Sequence, residues 1–141
     1  MKSNFTHIKK KRIEFGEVKI GQTAINHLLD ACKSNWISSG PKVIEFENRW
    51  EETFNIDYAI ALSSGTDSCI QMCLTLYEAM KARPGDEIIV PALSFIATSN
   101  AVRAAGFTPV FVDICLETLN IDESKIEEAI TDRTIAIMPV H

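Results

Sequence analysis

The sequence predicts an α/β fold in which a parallel-type sheet alternates with helices and is preceded by two further helices. Three observations carry this expectation. The runs "YAIAL", "EIIVPAL", "TPVFVDI" and "RTIAIMPV" are short, β-branched and apolar without interruption. Strands that read this way are covered on both faces, which is the condition of a parallel sheet rather than a half-solvated antiparallel one. Helical spacing fills the intervals between them, at about 66–82, 95–105 and 122–131, and strict alternation of this kind gives βα units.

Each element has a local reason. In "GQTAINHLLDACKS" the apolar residues Ile25, Leu28, Leu29 and Cys32 recur at helical spacing. Val43, Phe46, Trp50 and Phe54 do the same in "KVIEFENRWEETFN", so each segment reads as an amphipathic helix lying on something larger. Between them "NWISSGP" places Pro41 where a first helical residue tolerates a missing N–H. From Tyr58 the pattern switches to strands and helices, which divides the chain into residues 1–57, an arm with two helices, and residues 58–141, a partial α/β domain. In "RPGDE", Gly85 suits a helix end and Asp86 a strand entry. Asp122 and Glu123 suit the opening of the last helix.

Composition narrows the function classes. The 141 residues are 46% hydrophobic and 23% charged, enough for the core of one ordinary domain. The net charge of -5 comes from scattered acids, which argues against a nucleic-acid footprint. Lys9, Lys10, Lys11 and Arg12 form the one basic run, and it reads as a solvated arm. No run approaches the length of a membrane span and "MKSNFTHIKKKR" lacks the apolar core of a signal peptide, so a cytoplasmic protein without a membrane anchor is expected. Cys32, Cys69, Cys73 and Cys115 form no CxxC pair. They read as reduced structural thiols, and no metal site is expected.

The stretch "SSGTDS" at Ser63–Ser68 follows a predicted strand and opens a predicted helix. Such a turn exposes unpaired amides and the positive end of the helix dipole, and Gly65 admits a ligand close to the backbone. Thr66 adds a hydroxyl donor, and Asp67 or Ser68 can cap the helix. A capped turn without a ligand explains the same residues. No P-loop, dinucleotide fingerprint or Gly-x-Ser-x-Gly elbow is present, which leaves a single phosphate as the anion to consider. Phe95 follows the next predicted strand and falls on the same edge of the sheet. It could begin a helix from the core, or lie on a planar ligand. A one-phosphate turn beside a stacking aromatic suits a phosphorylated aromatic cofactor such as pyridoxal phosphate.

In this order, "WISSGPKVIEFENRWEETFN", "YAIALSSGTDSCIQMCL", "PGDEIIVPALSFIATSNAVRAAGFTPVFVDI" and "DRTIAIMPVH" resemble the N-terminal part of the DegT/StrS-type sugar aminotransferases, from about Gly21 onward. The resemblance implies the type I fold of pyridoxal-phosphate enzymes and amination of nucleotide-linked keto-sugars. It also implies glutamate as amino donor and a homodimer with the active site between subunits. It places the cofactor phosphate on Gly65, Thr66 and Asp67 and the pyridine ring on Phe95. Asp67 replaces a small apolar residue often found there, and a carboxylate next to a phosphate is repulsive unless it turns away or caps the helix. Ser38, Ser39 and Gly40 match a loop near the substrate, although an inter-helix turn explains them equally well.

The resemblance also places the Schiff-base lysine, the aspartate paired with the pyridine nitrogen and the asparagine lent by the partner subunit past His141. The expectation is therefore an N-terminal fragment with no catalytic residue of its own. Lys42, Lys81 and Lys125 receive no catalytic role, and His141 a structural one. A sugar 3-dehydratase of the same fold and a non-catalytic remnant are the alternative readings.

Overall fold

The computed structural model describes Gly16 and residues 18–140. The basic run at Lys9–Arg12 and the expectation for His141 lie outside the described residues. The chain divides into two compact units between Ala59 and Ile60.

The first unit holds α1 (Gln22–Lys33) and α2 (Pro41–Phe54). Pro41 occupies the first turn of α2, and Asn55 closes it in the left-handed region at φ 51°. The Glu51 carboxylate reaches past this end and accepts from the Ala59 amide at 2.8 Å. Phe46, Trp50 and Phe54 form a ladder along α2, with ring centroids 5.7 and 4.6 Å apart. Neither helix buries a residue.

The second unit is built on a three-stranded sheet in the order β2-β1-β3. Its strands are β1 (Glu87–Pro91), β2 (Thr108–Val112) and β3 (Thr134–Ile137). Both pairings are parallel, with Ile89 opposite Val110 on one side and Ile137 on the other. Every residue of β1 is buried, as the central strand of a sheet covered on both faces requires. Side-chain alternation divides the core between the faces. Ile88 and Val90 pack with Cys73, Val102, Ala105, Phe107 and Met138, under α3 (Gly65–Ala79) and α4 (Ala97–Ala104). Ile89 packs with Val112 and Ile121, backed by Ile126 and Ala129 from α5 (Ile126–Ala129), which a 3-10 turn at Glu123–Lys125 introduces.

One expected strand is missing. Tyr58–Leu62 forms no strand, and Tyr58 and Ile60 are 86% and 80% exposed. An unbroken apolar run becomes a strand only where neighbours supply a ladder and two covering faces. Neither β2, β1 nor β3 supplies one to this segment. The other three strands and all the helices form within a few residues of their expected positions.

Candidate functional site at the carboxyl edge of the sheet

The direction of α3 determines which edge of the sheet its first turn faces. Near its end, Tyr77 stacks on Phe107 with centroids 4.7 Å apart, and Phe107 is the residue before β2 begins. Tyr77 also donates from its hydroxyl to the Ala105 carbonyl at 2.7 Å. The carboxyl end of α3 therefore lies at the amino edge of the sheet. Gly65 is twelve residues earlier in the helix, about 18 Å at the α-helical rise, which is the length of a five-residue strand. Its first turn consequently lies at the carboxyl edge, where open parallel sheets bind ligands.

That first turn is a defined piece of chemistry. Ser64 caps it in extended conformation, its hydroxyl accepting from the Asp67 amide at 3.1 Å. The Ser68 amide is satisfied by the Ser64 carbonyl at 3.0 Å. Among the described residues no acceptor is found for the amides of Gly65 and Thr66, two of the four donors that a helix start leaves over. A Cβ built on Gly65 meets nothing within 4 Å, so the backbone is open to a ligand. The donor set suits an anion of phosphate size.

Asp67 behaves differently from its neighbours. Its Oδ2 accepts from the Ser63 hydroxyl and, at 3.0 Å, from the Ser64 hydroxyl. Those two bonds, Ser63 first, hold its carboxyl below the ordinary aspartate range. The cap is thus Ser64 rather than Asp67 or Ser68, and Ser63 and Ser64 belong to the site although the sequence reading gave them no role in it. The signal was present: Ser-x-x-Asp from Ser64 to Asp67 has capping-box spacing.

Phe95 lies between β1 and α4, four residues past Pro91, so it shares the carboxyl edge with the first turn of α3. It is 67% exposed and belongs to neither core cluster, so the reading of a core phenylalanine does not hold. Its carbonyl accepts from the Thr98 amide at 3.1 Å, and this holds the loop against the start of α4. Asp113, just past β2, also reaches this edge and pairs with Lys125 at 3.3 Å. Asp113 raises the pKa of Lys125 through a hydrogen bond and its charge. Lys42 is paired with Glu45 at 3.0 Å. Among the described residues no three His, Cys, Asp or Glu side chains gather where a metal ion could sit.

Ser38, Ser39 and Gly40 fall in the first unit, where Trp36 donates from its indole N–H to the Ser39 carbonyl at 2.9 Å. A Cβ on Gly40 would come within 2.0 Å of that indole nitrogen, so the close approach accounts for the glycine. Trp36, Gly40, Asp30, Ser34, Ser38 and Lys42 line a pocket of about 240 Å³.

Residues 18–141 match the DegT/DnrJ/EryC1/StrS aminotransferase family. The chain belongs to this family. Two curated members show the extent of the likeness. GDP-perosamine synthase of Caulobacter vibrioides is 40% identical over 131 residues, 92% of this chain and 34% of that protein. The 3-oxo-glucose-6-phosphate:glutamate aminotransferase of Bacillus subtilis is 44% identical over 117 residues, 83% of this chain and 26% of that protein. Among solved members, the E coli GDP-4-keto-6-deoxy-D-mannose-3-dehydratase with bound hydrated PLP superposes with a TM-score of 0.79 at 32% identity, covering 87% of this chain and 32% of that one. The α/β fold is accordingly the first part of the type I fold of this family. The chain spans about a third of the length of the relatives it matches.

Proposed function

We propose that the chain forms the phosphate-binding and ring-stacking part of a pyridoxal-phosphate-dependent aminotransferase for nucleotide-linked keto-sugars, with glutamate as amino donor. The observation that carries this reading is the pair of amides at Gly65 and Thr66, without an acceptor among the described residues, on the sheet edge that also presents Phe95. These residues fit the cofactor: amides and the Thr66 hydroxyl for its phosphate, Gly65 for close approach, the Asp67 amide beside them, and the Phe95 ring for its pyridine face. When bound, the cofactor supplies an electrophilic carbonyl and an electron-accepting ring. The substrate class follows the relatives, one a GDP-sugar synthase and another using glutamate. The dehydratase among the solved members supports sugar 3-dehydration as the second reading.

Lys42 and Lys125 are each held in an ion pair, which supports reading neither as the amine that bonds the cofactor. On this reading the 141-residue chain binds the cofactor without catalysing transfer, and a homodimer of the whole cytoplasmic enzyme completes the site. Two measurements test this. Thr66→Ala should weaken binding of pyridoxal phosphate by at least about tenfold, the loss of one charge-assisted hydrogen bond, while leaving pyridoxal unaffected. Borohydride reduction of the cofactor-loaded chain followed by mass spectrometry should give no stoichiometric lysine adduct. A stable adduct, or transfer from glutamate to a keto-sugar nucleotide by this chain alone, would overturn the assignment of its lysines.

A further inference from the structure

The first turn of α3 already holds one negative charge. Asp67 lies at the third helical position, and its carboxylate draws both the Ser63 and the Ser64 hydroxyls toward itself. Ser64 is thereby engaged twice, accepting from the Asp67 amide and donating to the Asp67 carboxylate. The hydroxyls next in the chain to the amides of Gly65 and Thr66, which have no acceptor among the described residues, are thus aimed at a side chain, in the place where a phosphate would seek donors.

We infer that Asp67 is the resident competitor of the cofactor phosphate: binding exchanges the Ser63 and Ser64 hydroxyls from the carboxylate to the phosphate, and the residual like-charge contact sets the affinity. The inference rests on the reading of this turn as a phosphate site. It makes Asp67 a residue that tunes retention rather than one that contributes to it, unlike Gly65 and Thr66. The carboxylate is ionised at neutral pH, as an ordinary aspartate is, and the two hydroxyl bonds favour that form, so the competition is present under working conditions. The carboxylate also has a structural use, since a negative charge in the first turn favours the helix. A carboxylate that stabilises the empty turn and weakens phosphate binding to it is the expected consequence.

The test measures equilibrium binding of pyridoxal phosphate, inorganic phosphate and phosphate-free pyridoxal to the chain and to Asp67→Asn, with Asp67→Ala as a second variant. Removing one like charge from contact with a phosphate should tighten both phosphate ligands by about five- to tenfold and leave pyridoxal unchanged. The thermal midpoint should fall slightly in both variants, since the helix loses its first-turn charge. Equal or weaker phosphate binding in both variants, with the parent chain still preferring pyridoxal phosphate over pyridoxal, would overturn the inference and leave the cofactor reading intact. Failure of every form to prefer pyridoxal phosphate over pyridoxal would remove the phosphate site and the inference together.

Discussion

Gly106 shows how a single position joins two elements. It follows α4 at φ 89°, where a side chain is strained, and a Cβ there would come within 2.8 Å of the Tyr77 hydroxyl. Replacing it with alanine should cost more than about 1 kcal/mol of stability from the backbone conformation alone, read as a lower denaturant midpoint. Tyr77→Phe keeps the stack on Phe107 and removes only the hydrogen bond to Ala105, so a loss of about 1 kcal/mol is expected. Asp67 adds a pH dependence. Its carboxyl is held below its ordinary value, so its contribution to folding is present above about pH 4 and is lost as pH falls through the lowered value. Asp67→Asn should flatten that part of the acid-unfolding curve. Of the candidate residues, the helix-start positions of Gly65, Thr66 and Asp67 and the loop position of Phe95 were legible because turn and edge chemistry restricts the residue types there. Which serine caps the helix, and that two serines hold Asp67, depends on rotamers that spacing does not specify.

At the scale of elements, central β1 carries the second unit. Ile89 is fully buried and faces α5 while its neighbours Ile88 and Val90 face α3 and α4. Ile89→Ala should cost about 2–5 kcal/mol, whereas trimming the half-exposed edge strands should cost less. An exposed residue such as Phe111 on β2, 58% exposed, makes the contrast in the same denaturation series. The sequence resolved these strands because an unbroken apolar run between helical periods has few other uses. It misjudged "YAIAL" for the same reason: apolar continuity records what a segment is suited to pair with, and pairing also needs a neighbour. The helices α1 and α2 were legible by period and by Gly40-Pro41. Their apolar stripes are exposed within this chain, and periodicity cannot name what covers them.

For the whole molecule, the proposal is a phosphate site at the carboxyl edge of the sheet, in a family fold that covers a quarter to a third of its relatives' length. Three levels meet there: a Ser-Gly-Thr turn in sequence, a helix run back across a parallel sheet, and two amides at that edge without acceptors among the described residues. No helix among the described residues is long and apolar enough to cross a membrane. Titrating the ¹⁵N-labelled chain with pyridoxal phosphate measures the claim at its own atoms. The account predicts that the largest shifts fall on the amides of Gly65, Thr66 and Asp67, with a second group around Phe95, and that pyridoxal without phosphate leaves the first group in place. Shifts centred elsewhere, or a Gly65–Asp67 response equal for the two ligands, would contradict it.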